Sequence, residues 1–280
     1  MIKEKAYAKI NLFLNVINKR FDGYHDLEMV MASIDLHDTL TFKKDESCNI
    51  TITSDIVITD DPVENIVHKV AVFLQEEFQV NKGAIIHINK KIPIAAGLAG
   101  GSADAAAAFR GLNKLWKLKL SLDDMAKLGI NFGADIPFCI YNKLCIAKGK
   151  GEELLFLSNK IKSPVLLINP NIRISTKEVF SKVKDQDLVD VKISDMSSAM
   201  LQKNYDLMVR ELHNSLEKIV FEMEPKIREI KHNMIDLGLD GALMSGSGAT
   251  VFGISRNKNK LRYVMETSKD EYYKIITKIR

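Results

Sequence analysis

One glycine-rich segment, from Ile92 to Ala106, carries residue types that could bind a charged ligand. It places three glycines and a serine between an extended apolar run and an alanine-rich run that favours a helix. A helix that starts here leaves several main-chain N–H groups without intrahelical acceptors, all pointing the same way. Glycines let a ligand approach the main chain closely. Because this combination is typical of anion sites, the sequence predicts a phosphate-binding loop.

The spacing within this segment excludes two familiar phosphate motifs. It lacks the Gly-Lys-Ser/Thr ending of a Walker loop. It also departs from the dinucleotide fingerprint, because Ala99 stands where the second glycine belongs. A plain strand-to-helix connection, with Ser102 or Asp104 as N-cap, is the alternative interpretation. The small side chains from Ala105 to Ala108 let a helix lie close to its neighbours, and this context favours the phosphate loop.

Lys9, Asn11 and Asp135 are the polar residues that could carry chemistry. Residues two apart in a strand share a face, so Lys9 and Asn11 are predicted to point the same way. Asp135 lies in a tight turn with apolar flanks, where a partly buried carboxylate needs a cation, and Lys9 is a candidate partner. The alternatives are a solvated lysine on an edge strand and an aspartate that only caps a turn.

Three further residues could bind an aromatic ligand. Tyr24 and His25 follow a glycine in a predicted turn, and Phe180 follows a second turn at Ser175 and Thr176. Each residue taken singly is also compatible with an ordinary core or surface position.

Composition limits the class of protein. The chain has 280 residues and a formal net charge of +4, so two domains are expected, and a nucleic-acid partner is only weakly indicated. Its apolar runs are too short to span a bilayer, and Asn11 and Asn15 interrupt the run that a signal peptide would need, so a cytoplasmic location is expected. The three cysteines and six histidines show no metal-binding spacing, which predicts neither a disulfide framework nor a metal site.

Hydrophobic periodicity predicts strands mixed with helices, without a regular βαβ rhythm, and therefore an α+β fold. A second glycine loop, from Gly241 to Val251, is predicted between two strands, and a domain boundary is placed near Ser158 to Ser163. Gly238 is a predicted helix C-cap. The predicted strands are 6–16, 34–42, 50–58, 84–88, 165–168 and 272–279, with a hairpin over 138–147. The predicted helices are 64–78, the segment ending near 116, 121–128 with Ser121 as N-cap, and 258–267.

Taken together, these motifs resemble the superfamily named after galactokinase, homoserine kinase, mevalonate kinase and phosphomevalonate kinase. Its phosphate loop looks like Ile92 to Ala106, and its C-terminal glycine motif looks like Leu243 to Thr250. Within it, the chain is most similar to the family of 4-diphosphocytidyl-2-C-methyl-D-erythritol kinases of the non-mevalonate isoprenoid pathway. The specific matches, in the family's order, are Ala8–Leu12, Asp22–His25, Gly133–Pro137 and Gly149–Glu152.

The resemblance implies a fold, a reaction and two ligands. The expected domains are an ATP-binding domain of the ribosomal protein S5 domain 2-like type (residues 1–158) and a ferredoxin-like α/β plait (residues 159–280). The expected reaction is ATP-dependent phosphorylation of the substrate's 2-hydroxyl, with Mg²⁺ arriving with ATP. A monomer or homodimer is expected, with no nucleic-acid or membrane partner.

The resemblance also implies the roles of site residues. Lys9 and Asp135 form the catalytic pair, in which Lys9 keeps the carboxylate ionised and steadies developing charge. Tyr24 and Phe180 stack on the cytosine, His25 bonds its edge, and Asn11 and Thr176 lie near the substrate. The ATP phosphates are held by Pro93, Ile94, Ala95, Ala96, Gly97, Leu98, Ala99, Gly100, Gly101, Ser102 and Ala103.

Two positions depart from the family pattern. Ala99 replaces a frequent glycine, which is tolerable if its φ is negative, and Ala103 replaces a frequent serine, which leaves Ser102 as the better hydroxyl for a phosphate contact. The alternative functions are a homoserine or mevalonate kinase of the same superfamily and a non-catalytic nucleotide- or RNA-binding protein. Intact Lys9 and Asp135 argue against the latter.

Overall fold

The computed structural model describes residues 1–157, 161–188 and 191–280. The chain forms two compact units, the first from residues 1–8, 36–94 and 99–142, and the second from residues 9–35, 95–98 and 143–280. The first part of the predicted boundary near Ser158 to Ser163 lies outside the described residues, and this boundary stays a prediction.

Helices and strands alternate irregularly along the chain, and the predicted α+β class is confirmed. The strands are β1 (Ile2–Lys19), β2 (His25–Asp45), β3 (Ile50–Ser54), β4 (Gly83–Asn89), β5 (Cys145–Lys148), β6 (Glu153–Phe156), β7 (Pro164–Asn169), β8 (His213–Asn214), β9 (Gly241–Met244), β10 (Val251–Ile254) and β11 (Tyr273–Lys278). The helices are α1 (Ile66–Glu77), α2 (Gly100–Trp116), α3 (Leu122–Gly129), α4 (Ile136–Tyr141), α5 (Thr176–Ser181), α6 (Ile193–Leu201), α7 (Tyr205–Arg210), α8 (Glu217–Met223), α9 (Pro225–Asp236) and α10 (Lys258–Thr267). Short 3-10 helices lie at Pro62–Glu64 and Asp185–Asp187.

The larger of the two sheets is mixed, with parallel and antiparallel strand pairs. Its order is β3-β4-β2-β1-β8, with β5 paired to β2 and β6 to β5. Strand β4 pairs antiparallel with β2, where Leu40 faces Ile88, and parallel with β3, where Ile52 faces Ile86. Because β3 and β4 are parallel, the chain must cross over between them, and α1 makes that connection.

Helix α2 lies close against the sheet. Alanines 105–108 are fully buried, and a Cβ placed on Gly111 would lie 2.3 Å from the ring of Phe42. The prediction that a run of small side chains allows close packing of this helix is therefore confirmed. Close packing holds the middle of α2 on the sheet, and the first turn of the same helix, from Gly100, carries the last residues of the predicted phosphate loop.

The predicted hairpin over residues 138–147 is wrong. Residues Ile136 to Ile140 are buried and form α4, with Pro137 in its first turn, where a proline is tolerated. A short, continuous apolar run does not distinguish a buried helix from a buried strand, which explains the error. The real hairpin pairs β5 with β6 and turns at Gly149–Glu152.

The second unit contains a four-stranded antiparallel sheet in the order β11-β7-β10-β9. Leu167 on β7 faces Phe252 on β10 and Ile275 on β11, and all three strands are antiparallel to their neighbours. Numbered along the chain, this order is 4-1-3-2, with helices in the connections from β7 to β9 and from β10 to β11. The expected ferredoxin-like plait is confirmed.

Candidate active site

The predicted phosphate loop alternates between two backbone conformations. Ala95, Gly97 and Ala99 have positive φ angles of 52°, 73° and 55°. The condition given for an alanine at position 99, a negative φ, is therefore not met, and Ala99 adopts a backbone conformation that favours glycine. Because every second residue from 95 to 99 has a positive φ, the chain does not run extended between the end of β4 and the start of α2.

Helix α2 begins at Gly100, with Ala99 as its N-cap and no side-chain hydrogen bond to that cap. The suggestion that Ser102 or Asp104 caps this helix is wrong, since both lie inside it. The amides in the first turn of any α-helix have no intrahelical acceptor, and here no capping side chain accepts from them either. A Cβ placed on Gly101 would meet nothing within 4 Å, so the first turn borders open space. This end of α2 has the features of an anion site.

The second glycine loop, between β9 and β10 as predicted, packs on the phosphate loop. A Cβ placed on Gly97 would lie 2.1 Å from the carbonyl oxygen of Ser245 and 2.7 Å from that of Gly248. The Ser245 hydroxyl donates to the Gly97 carbonyl at 2.9 Å, and the Thr250 amide donates to Ala96 at 3.3 Å. Main chain touches main chain here, which only glycine permits at position 97.

Lys9 lies at this junction. Its side chain is buried, its ammonium donates to Asn11 Oδ1 at 2.6 Å, and its main-chain amide donates to Leu98 at 3.1 Å. A Cβ placed on Gly246 would lie 3.3 Å from Lys9 Nζ. The shared face of Lys9 and Asn11 is confirmed, whereas the interpretation of a solvated edge lysine is wrong. Lys9 therefore contacts the phosphate loop through its main-chain amide and the second glycine loop through its buried ammonium.

Asp135 lies in the first unit, immediately before α4, and its side chain makes no cap hydrogen bond to that helix. It is half-buried. The preceding turn lies beside the phosphate loop, because a Cβ placed on Gly133 would be 3.9 Å from Ser102 Oγ. Lys9 belongs to the second unit, so its pairing with Asp135 stays a prediction.

The three residues expected around a cytosine lie in the second unit. The rings of His25 and Phe180 have centroids 5.4 Å apart, whereas Tyr24 is 60% exposed and has Lys150 Nζ 4.4 Å from its centroid. His25 is the first residue of β2 rather than part of a turn, and strand pairing therefore fixes its backbone. The structure brings His25 and Phe180 together.

His25 has unused hydrogen-bonding capacity. Its Nε2 atom is buried and has no hydrogen-bond partner among the described residues. Burial lowers the pKa of His25 below its usual value, and the nearby charge of Lys19 lowers it further. The ring is therefore neutral at pH 7 and keeps one donor and one acceptor nitrogen. A buried nitrogen without a hydrogen-bond partner lowers the stability of the fold, because its lost hydration is not replaced. A ligand that bonds to Nε2 would restore that interaction, so this atom is well suited to a ligand contact.

Thr176 and Asn11 take different positions. Thr176 begins α5, and its hydroxyl bonds to that of Ser247 in the second glycine loop at 2.9 Å. Asn11 is fully buried and also donates from Nδ2 to Met29 Sδ at 3.3 Å. Both therefore belong to networks around the glycine loops, while their contact with a substrate stays a prediction.

Sequence reasoning missed a buried ionic cluster in the first unit. The ammonium of Lys90 contacts the carboxylates of Asp38 and Asp104, and all three side chains are at most 3% exposed. Burial raises the pKa of Asp104 to about 7, with Lys90 opposing the shift and Asp38 adding to it. The sequence contains one sign of this cluster. Asp38 is the single charged residue among the alternate positions of β2 from Ile34 to Phe42, which are otherwise apolar and buried.

Two searches of the described residues were negative. Within residues 1–157, 161–188 and 191–280, no cluster of three or more His, Cys, Asp or Glu side chains has the arrangement of a metal site. In the same part of the chain, no helix combines the length and apolar character needed to cross a bilayer.

Comparison with known proteins agrees with this geometry. The family models "GHMP kinases N terminal domain" and "GHMP kinases C terminal" match residues 65–143 and 196–272. Relatives from Staphylococcus epidermidis and Staphylococcus haemolyticus are 43% and 41% identical over 94% of each chain, and both are named putative 4-diphosphocytidyl-2-C-methyl-D-erythritol kinases. This chain belongs to that kinase family.

A solved structure supports the same assignment. The crystal structure of a 4-(cytidine 5'-diphospho)-2C-methyl-D-erythritol kinase matches this chain with a TM-score of 0.85, 29% identity and 99% coverage of both chains. The chain is thus a small-molecule kinase with the N- and C-terminal domains of the GHMP fold. The catalytic and binding roles of its residues follow as proposals.

Proposed function

We propose that this chain transfers the γ-phosphate of ATP to the 2-hydroxyl of 4-diphosphocytidyl-2-C-methyl-D-erythritol in the non-mevalonate pathway. The observation that carries the proposal is 43% identity, over 94% of both chains, to a relative with that kinase name. We expect the reaction to take place in the cytoplasm, where ATP is available.

The residues of the glycine loop fit the phosphate chain of ATP. The first turn of α2 offers uncapped amides beside open space at Gly101. Pro93 to Ala103 would hold the phosphates through these amides, with the Ser102 hydroxyl as an added donor. ATP would bring its own Mg²⁺, which neutralises part of the phosphate charge when bound.

His25 and Phe180 support recognition of a pyrimidine. A neutral imidazole offers one donor and one acceptor to the edge of cytosine, and the ring of Phe180 lies beside it. Tyr24 would supply a second stacking surface, on the ring face that Lys150 leaves open. Such a site would discriminate against substrates without a base, because the buried nitrogen of His25 would then stay unpaired.

The transfer itself needs positioning and charge stabilisation more than a strong base. The 2-hydroxyl oxygen bonds to the γ-phosphorus as the bond to the β-bridging oxygen breaks, which releases ADP. The hydroxyl proton goes to the carboxylate of Asp135. Lys9 would stabilise the negative charge that develops, and its bond to Asn11 fixes the direction of its ammonium.

The variant Asp135→Asn tests this assignment, because it keeps the size of the side chain and removes the proton acceptor. We expect kcat to fall about 10²–10⁴-fold, the usual contribution of a general base. The dissociation constant for ATP, measured by calorimetry, should stay unchanged. Asp236→Asn is the matched control, since Asp236 is exposed at the end of α9. A kcat near the wild-type value for Asp135→Asn would refute the assignment.

A further inference from the structure

The N-terminal end of the phosphate loop is hydrogen-bonded to a buried carboxylate on β2, that of Asp38. Asp38 is fully buried and accepts hydrogen bonds from the main-chain amides of Lys91 and Ile92, the latter at 2.7 Å. Those amides belong to the two residues that precede Pro93. A carboxylate that accepts main-chain N–H groups makes stronger bonds than a neutral acceptor would. The backbone at the beginning of the loop is therefore fixed to the sheet.

The second end of the loop is tied to the same carboxylate through one lysine. Lys90 Nζ contacts Asp38 and also lies 2.7 Å from Asp104 in the first helical turns of α2. The side chains are 3%, 0% and 3% exposed for Lys90, Asp38 and Asp104. A Cβ placed on Gly100 would be 3.1 Å from the same ammonium, so Lys90 lies directly against the start of the helix.

This cluster joins the two segments on either side of the loop to each other and to strand β2. Strand β2 provides Asp38, the end of β4 leads to Lys90, and α2 provides Asp104. The loop between residues 91 and 104 thus begins and ends at one ionic contact. Asp104 Oδ1 is buried without a hydrogen-bond partner among the described residues, so its other oxygen, bound to Lys90, makes the connection.

We propose that Lys90 and Asp104 are positioning residues that hold the two ends of the phosphate loop together and thereby set the affinity for ATP. This inference rests on the proposed function, because it assumes that the loop binds ATP. Neither residue is among those proposed to contact ATP, so an effect on ATP binding can be measured separately from the chemistry proposed for Asp135.

Asp104→Leu is the main variant. It removes the contact with the second end of the loop and leaves Asp38 paired with Lys90, so no buried charge loses its only partner. We expect the KM and the dissociation constant for ATP to rise about 10- to 100-fold, since small displacements of binding groups have effects of this size. The KM for the acceptor should change less than about twofold.

Two companion variants make the test specific. Asp104→Asn keeps an oxygen for Lys90 Nζ and should bind ATP within about threefold of wild type. Glu4→Leu is the matched control, because Glu4 is a buried carboxylate that contacts Arg110 and Lys114 farther along α2. This control should lose stability without losing ATP affinity.

Hydrogen exchange of the wild-type enzyme without nucleotide gives an independent readout that needs no variant. The amides of Lys91 and Ile92 should exchange more slowly than those of Ala95 and Gly97. Four results would each overturn the inference: unchanged ATP affinity in Asp104→Leu, equal loss in Asp104→Asn, equal loss in Glu4→Leu, or rapid exchange at Lys91 and Ile92. If the wild-type enzyme does not bind ATP at all, the proposed function falls together with the inference.

Discussion

Replacing Gly97 by alanine should destabilise the enzyme in the absence of any ligand. The φ angle of +73° disfavours a residue with a Cβ by about 1–2 kcal/mol. The new methyl carbon would also lie 2.1 Å from the Ser245 carbonyl oxygen, so one main chain must move away from the other. Such overpacking usually costs about 1–3 kcal/mol. The free energy of unfolding should therefore fall by about 2–5 kcal/mol.

Gly101→Ala is the matched control in the same segment. A Cβ placed there meets nothing within 4 Å, and the residue lies in the first turn of α2. Alanine is a better helix former than glycine, so this change should be neutral or should stabilise by up to about 1 kcal/mol. Urea unfolding of both variants, followed by circular dichroism, measures the two free energies. Equal stability of the two variants would refute the close approach of the glycine loops.

Two further predictions concern single residues. Ala99→Gly should raise the free energy of unfolding by about 0.5–1 kcal/mol in the same urea assay, because φ at this position is +55° and glycine adopts that angle without strain. A lower free energy of unfolding in this variant would show that the backbone at Ala99 is not strained. The KM for the cytidine substrate should be flat between pH 8 and about 6.5 and should rise as the pH falls further, because burial lowers the pKa of His25 and only acid protonates its acceptor nitrogen. Steady-state kinetics of the wild type and of His25→Gln as control test this. If the KM of His25→Gln still rose at low pH, the pH effect would belong to another group.

Local patterns gave much of the fold. Ser121 caps α3 through a reciprocal bond pair with Asp124, as its position before the apolar residues predicts. Gly238 follows α9 with a φ of +87°, the left-handed conformation that ends helices. These predictions succeed because caps depend on a few neighbouring residues.

Other features depended on contacts that are distant in sequence. The first half of β2 was missed because Met29 to Ala32 form a short, continuous apolar run, which does not distinguish a buried strand from a buried helix. Pairing of this segment with β5 fixes it as a strand. The positive φ of Ala99 has no local signal, since alanine normally avoids it. Asp38 did leave a signal, as the one charged residue in the apolar register Ile34, Leu36, Leu40 and Phe42, but its partners could not be known before β4 and α2 were placed.

The candidate site divides in the same way. The motif segments predicted that Lys9 and Asn11 share a face and that a glycine loop precedes a helix. The meeting of Gly97 with Ser245 joins residues that are 148 positions apart, so no local pattern could reveal it. The same holds for the contact of His25 with Phe180, which needs both β2 and α5 in place.

Acceptor specificity is the most direct test of the account. ADP release from ATP should be measured with 4-diphosphocytidyl-2-C-methyl-D-erythritol, homoserine and mevalonate under the same conditions, with the phosphorylated product identified by phosphorus NMR. We expect one product per ADP with the cytidine substrate and a kcat/KM about 10⁴-fold above that for the other two acceptors. Turnover of homoserine or mevalonate at an equal or higher kcat/KM would contradict the account.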